Sequence, residues 1–217
     1  MMREIYLLAE GPLFVLALAC LTAGIIWRVT GFISASRHRD PAIYSGFRPG
    51  WATASVLRWI FPSGRTAAEN ARILIPATVF HLCLLAAVFI SAHAILINEY
   101  FGIGWPAIAA DTANILTIIF LACAAIMAIR RITAPHVRAL TDKKDWLAWA
   151  LTVLPFLTGY LAYNQHFDYQ TMITLHVLSG ISLIAAIPFT KLSHAFMFFV
   201  SRAVTGSDFG KRGVGAW

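Results

Sequence analysis

Five long runs of this chain carry almost no charge, and nothing else constrains its folding more. They cover residues 6–33, 73–101, 112–129, 146–163 and 171–200. A helix needs about 20 apolar residues to cross a bilayer, and only helices or closed barrels satisfy every backbone polar group there. The sequence therefore predicts an all-α membrane protein, a five-transmembrane-helix bundle forming a single domain over residues 1–217. Charged residues make up only 12% of the chain, about half the share in a soluble domain. The first run is too long for a removable signal peptide and lacks a convincing small-residue cleavage site, so it reads as a retained span.

The formal net charge of +7 raises the question of nucleic acid, and its placement answers it. Of the 17 Lys and Arg, all but Arg3 fall within 28–72, 130–144 and 191–212. The alternate segments 99–111 and 164–170 hold none. This alternation satisfies the positive-inside rule for five helices with the N-terminus outside and the C-terminus cytoplasmic. It predicts a multi-pass protein of the inner (cytoplasmic) membrane, drawn to anionic lipid and not to nucleic acid. Within the long first loop, residues 51–61 (WATASVLRWIF) mix Trp and Arg with apolar side chains, as a short interfacial helix does. The tail, 202–217, is glycine-rich and expected to be cytoplasmic.

The chemistry of the chain is concentrated in histidine. Cys20, Cys83 and Cys123 fall in three different runs with no CxxC or Cys/His cluster, so they read as packing residues and not as iron–sulfur or zinc ligands. Of seven histidines, His38 and His136 lie in basic loops and His166 in an outer connection. His81 and His93 lie on the second run, His176 and His194 on the fifth. Ionisable residues in spans are costly, and they usually face a bundle interior or a functional site.

His176 and His194 are 18 residues apart, about five turns and 27 Å on one helix face. The topology pairs His93 with His176 near the outer side and His81 with His194 near the inner side. Each pair offers two axial nitrogens to a haem b iron and leaves no open position, which favours electron transfer over oxygen chemistry. Without a CxxCH motif the haems would be non-covalent. Two haems are expected, with one as the alternative. The 12 residues between His81 and His93 rotate a helix by about 120° over about 18 Å. Levelling both pairs then calls for a tilt in the second helix or a kink at Pro188 in the fifth. Lys191, Arg130 and Arg131 would meet haem propionates or simply anchor the basic side. His166 and Asp168 would offer a quinone headgroup a hydrogen-bond partner and proton acceptor.

The segments ITLHVLSG (173–180) and PFTKLSHAFMF (188–198) resemble the last helix of the gamma subunit of respiratory nitrate reductases. Phe80–His81 and the small residue before His93 resemble its second helix. That family implies a five-helix, N-out, di-haem cytochrome b. Residue by residue, the resemblance implies His93 and His176 for the outer haem, and His81 and His194 for the inner one. The second helix here has two more residues between its histidines, which a bulge or a changed haem tilt must absorb. A similar branch serves transmembrane redox complexes of sulfate-reducing bacteria, beside cytoplasmic iron–sulfur subunits and periplasmic multihaem cytochromes c.

The resemblance thus implies a haem b subunit of a quinone-linked oxidoreductase complex in a respiratory chain, with menaquinone or another quinone as substrate. It would be an electron-transfer subunit rather than a complete enzyme. The alternatives are a haem-free membrane anchor for soluble redox subunits and a small transporter using the histidines as a proton relay. Transporters often show inverted repeats and broken helices in matching positions, and neither is evident in the sequence.

Overall fold

The computed structural model describes residues 2–61 and 65–214, with the side chains of residues 65, 66, 92 and 96 left aside. Every regular element among them is helical. Five helices are long and apolar enough to cross a membrane: α1 (Met2–Arg39), α3 (Ala71–Phe89), α5 (Ala110–Thr133), α6 (Lys143–Tyr163) and α7 (Tyr169–Phe189, its last turn 3-10). Three further helices of ten residues or more are α2 (Pro49–Ile60), α4 (Ala92–Phe101) and α8 (His194–Lys211), and short helical turns cover Arg65–Glu69 and Pro135–Leu140. The spans show apolar side chains outward, among them Leu16, Ile115 and Ile129, each more than half exposed. That outward apolar surface is what a bilayer solvates and water does not.

Two of the expected spans are shorter than their apolar runs. The run 73–101 is broken: α3 stops at Phe89 and α4 starts at Ala92. Ser91 between them is extended (φ −101°, ψ −154°). The run 171–200 is broken too, at Pro188. There α7 tightens into 3-10 turns, Thr190 is extended (φ −117°, ψ −176°), and α8 starts afresh at His194. A proline has no N–H to give and crowds the preceding turn, and here the helix ends instead of kinking. Hydropathy alone carried both runs past these breaks. His93 and His194 therefore lie beyond the spans, on α4 and α8, and His81 and His176 lie within them. Neither rotation per residue nor rise per residue connects the members of either expected same-helix pair.

The chain divides into two compact units, residues 1–14 with 70–183 and residues 15–69 with 184–217. In the first unit α3 packs on α5, and α5 on α6. Its core is a stack of rings, one from each helix. Phe120 is fully buried, 4.4 Å from Phe80 and 3.7 Å from Phe156, centroid to centroid. Cys83, Ala87 and Ala124 fill the gaps around the stack. Small residues at such contacts let helix backbones approach closely, and packing holds spans together where lipid removes the hydrophobic drive. The Trp149 indole adds a bond to the Ala124 carbonyl at 3.2 Å. At the start of α6, Asp142 and Asp145 cap each other's amides in a reciprocal box.

In the second unit α2 lies against α8. Two glycines of α8 permit this contact: a Cβ on Gly206 would sit 2.3 Å from that of Ser55, and one on Gly210 would sit 2.2 Å from the Trp51 ring. The Arg202 guanidinium covers the Trp59 ring at 3.8 Å. The Lys211 ammonium donates to the carbonyls of Ala42, Ile43 and Ser45 at 3.1, 3.0 and 2.7 Å. Residues 51–60 thus lie in a helix, and Leu57, Ile60 and the following Phe61 are exposed. The tail is glycine-rich by composition. It is helical to Lys211, because its glycines serve as contact points; residues 215–217 of that tail lie outside the described residues.

Candidate functional site

The break between α3 and α4 builds the site. A helix that stops in an apolar setting leaves carbonyls without partners, and this end is satisfied from three directions. The Trp105 indole donates to the Phe89 carbonyl at 2.6 Å, and the Ile108 amide donates to the Ile90 carbonyl at 2.7 Å. The Ala87 carbonyl accepts from both the Ser91 hydroxyl and His93 Nδ1, the latter at 2.9 Å. His93 Nδ1 also lies 3.0 Å from Ser91 Oγ. The imidazole of His93 is thereby folded back onto the end of the span that precedes it.

There it meets His176. The two rings belong to the same unit, with centroids 5.8 Å apart and planes inclined by 32°. His176 Nδ1 bonds the Pro155 carbonyl on α6 at 2.7 Å. The ring lies so close to α6 that a Cβ on Gly159 would stand 2.9 Å from Nδ1 and 3.0 Å from Cε1. Glycine is needed there for space, not for backbone freedom. Around the pair, Thr158 and Ser179 hydroxyls approach to 3.3 Å, and Ser179 donates to the His176 carbonyl.

These bonds fix the tautomer. A carbonyl oxygen only accepts, so Nδ1 of each ring must carry the hydrogen, and the neutral imidazole keeps its lone pair on Nε2. Metal-binding histidines are usually held this way, the far nitrogen donating to a carbonyl or carboxylate. The same bond occurs at the other two expected ligands: His81 Nδ1 with the Ala77 carbonyl at 2.7 Å, and His194 Nδ1 with the Lys191 carbonyl at 2.9 Å. Two nitrogens each about 2 Å from one metal place their ring centroids about 6 Å apart, and His93 and His176 are at that separation. Among the described residues no group of three or more His, Cys, Asp or Glu gathers; a pair of imidazoles is one of several ligand sets that haem iron accepts. The His93–His176 pair therefore has the donor type and spacing that two histidine ligands to one haem iron would need.

The other expected residues are dispersed. His81 is exposed on α3 in the first unit, and His194 is exposed at the start of α8 in the second. Lys191 lies in the 3-10 turn before His194, Arg130 in the last turn of α5, and Arg131 is 3.6 Å from Asp145. His166 sits with its ring 5.7 Å from that of Tyr160. Asp168 Oδ2 accepts from the Thr171 hydroxyl at 2.7 Å and amide at 2.8 Å, capping the start of α7. The hydroxyl first, then the amide, hold its carboxyl below the usual carboxylate range.

Sequence reasoning missed Ser91, the Pro155 carbonyl, Gly159 and Trp105. It also missed the clasp between α5 and α6, where the Tyr163 hydroxyl donates to Asp111 at 2.6 Å and the Asn114 and Asn164 amides exchange bonds at 3.4 and 3.0 Å. Ser91 and His93 stand in the middle of the apolar run 73–101, so the sequence pattern carried no signal for the break.

No family model matches the chain, and no solved structure matches it. A protein of Nitratidesulfovibrio vulgaris (strain Hildenborough), described simply as "Protein", is 31% identical over 217 residues, spanning 96% of this chain and 95% of its own length.

Proposed function

We propose that this chain, which belongs to one family with the Nitratidesulfovibrio vulgaris protein, is the haem b-carrying membrane subunit of a quinone-linked oxidoreductase complex. The observation that carries the reading is the facing pair His93 and His176, each with Nδ1 bound to a backbone carbonyl and Nε2 left as the metal-ligating nitrogen. Haem b, when bound, would supply a one-electron iron couple, and His93 and His176 are the residues that would hold it. The chain's part is to hold the two rings at fixed tautomer and separation, and to surround them with apolar helices that keep water away.

An inner haem on His81 and His194 rests on the sequence resemblance alone. The resemblance to nitrate reductase gamma subunits supports further parts of the reading. They are an inner-membrane location with the N-terminus outside, and a quinone such as menaquinone on the outer side near His93, His176, His166 and Asp168. A cytoplasmic iron–sulfur subunit on the basic side is the expected partner, with a periplasmic multihaem cytochrome c as a further one. Lys191, Arg130 and Arg131 stand as candidate propionate contacts.

The test is spectroscopic. The purified complex should show the reduced α-band of a b-type haem with a low-spin bis-histidine spectrum. His176→Ala and His93→Ala should each remove the same haem. Unchanged haem content in both variants would refute the ligand assignment.

A further inference from the structure

A second site lies in the other unit, in a groove of about 390 Å³ lined by Trp27, Arg28, Gly31, Phe32 and Met197. The volume is in the range of ordinary ligand sites, and the lining is apolar except for one cation. Arg28 is half-buried on α1, among residues otherwise suited to a bilayer. It donates to Ser193 Oγ at 3.3 Å, a neutral acceptor, and among the described residues no carboxylate pairs with it. A guanidinium has five donors in a fixed fork and holds its charge throughout the accessible pH range. On a span it is costly unless an anion meets it.

The groove is also firmly built. Gly24 of α1 is packed against Pro188, where a Cβ would come within 2.4 Å of the proline ring. Trp27 and Phe189 rings lie 6.3 Å apart. This contact fixes the α1 backbone beside the turn that carries Ser193. Arg28 therefore stands in an open groove whose backbone walls are fixed by packing.

We propose that this groove binds the headgroup of an anionic phospholipid, the phosphate on Arg28 and the upper acyl chain along Trp27, Phe32 and Met197. Three features select this occupant. The cation lacks a carboxylate, so it calls for an oxyanion, and Arg meets phosphate in a bidentate fork. The remaining walls are apolar and aromatic, so the anion must be joined to an apolar body. The helix also ends in Arg37, His38 and Arg39, and basic pockets near the ends of spans are where acidic lipid headgroups collect. The inference rests on the membrane reading and is independent of the haem.

The test uses the full-length chain in nanodiscs. Trp27 lines the groove, so its emission, taken as the difference between wild type and Trp27→Phe, reports the occupant. Brominated phosphatidylglycerol should quench it about fivefold more effectively, lipid for lipid, than brominated phosphatidylcholine, the preference one arginine gives toward an anionic lipid. Arg28→Gln should abolish the preference, and Arg28→Lys should keep much of it as a point charge. Equal quenching by the two lipids in wild type, which needs no variant to fold, would overturn the proposal. So would a preference that survives Arg28→Gln. Loss of haem from Arg28→Gln in a protein showing no lipid preference would assign the guanidinium to a haem carboxylate, and that result overturns it as well.

Discussion

Gly159→Ala separates the site from the fold more cleanly than removal of a ligand. The added methyl would stand 2.9 Å from His176 Nδ1 and 3.0 Å from Cε1, about half an ångström inside the closest comfortable approach of two such atoms. The Pro155 carbonyl bond at 2.7 Å holds the ring against that face, so the ring must leave the carbonyl to escape. Loss of such an outer partner typically costs about 10–100-fold in metal affinity, about 1.4–2.7 kcal/mol. The same substitution should favour the helix, since Ala exceeds Gly by about 1 kcal/mol in a helix interior. The two effects have opposite signs, which no general loss of folding can imitate. Gly180→Ala is the control, because a Cβ there meets nothing within 4 Å. Haem per protein, measured as the pyridine haemochrome across a dilution series, should fall in Gly159→Ala and hold in Gly180→Ala, with melting temperature unchanged or raised in both. If the haem that His93 and His176 would hold dissociates from Gly159→Ala at a dilution within twofold of that for wild type, His176 is not held as a ligand by α6.

Ser91→Ala removes the hydroxyl that shares the Ala87 carbonyl with His93. It should cost about 1 kcal/mol of stability and broaden the low-spin signal of the outer haem in electron paramagnetic resonance; an unaltered spectrum would deny Ser91 a positioning role. Phe120→Ala empties the centre of the three-ring stack. It should lower stability by about 3 kcal/mol, read by thermal unfolding in nanodiscs. The Asp168 cap gives a pH dependence of known sign: its carboxyl is lowered in the folded state, so its contribution is present above the unfolded value of about 3.9 and is lost as pH falls through the lower folded value. The melting-temperature gap between wild type and Asp168→Ala should therefore be constant near neutrality and close under acid, and a gap that widened on acidification would contradict the cap.

The spans were legible because a bilayer makes hydropathy almost sufficient: each of the five apolar runs overlaps a helix long and apolar enough to cross a membrane. Their ends were not legible. Residues 90–101 and 190–200 continue the apolar pattern of the spans before them, so nothing in composition distinguishes a span from a span followed by a second helix. What decides is local stereochemistry. Pro188 was visible and was read as a kink, but whether a proline kinks or ends a helix depends on partners for the freed backbone groups. Thr190 supplies one of them, its side chain accepting from the Leu192 amide at 3.3 Å. At Ser91 the partners come from Trp105 and Ile108 in the following loop, at a distance in sequence that no helical period reports.

The histidines show the same limit from the chemical side. Residue type, topology and resemblance together selected His93 and His176, and the structure brings those rings together. The route differs from the expected one. Twelve residues on a continuous helix would have turned His93 about 120° from His81, and the sequence seemed to need a tilt or bulge to correct it. The break at Ile90–Ser91 removes that constraint, because His93 takes its direction from the Ala87 carbonyl and not from helical phase. The two additional residues that the resemblance to the nitrate reductase subunits implies would fall between His81 and His93, in the interval that contains the break. An insertion there need not rotate a ligand away from its partner when a freshly capped turn can re-aim it. Helical phase is therefore a weak guide to ligand geometry in a span that ends between its histidines, and the carbonyl each Nδ1 reaches is the stronger one.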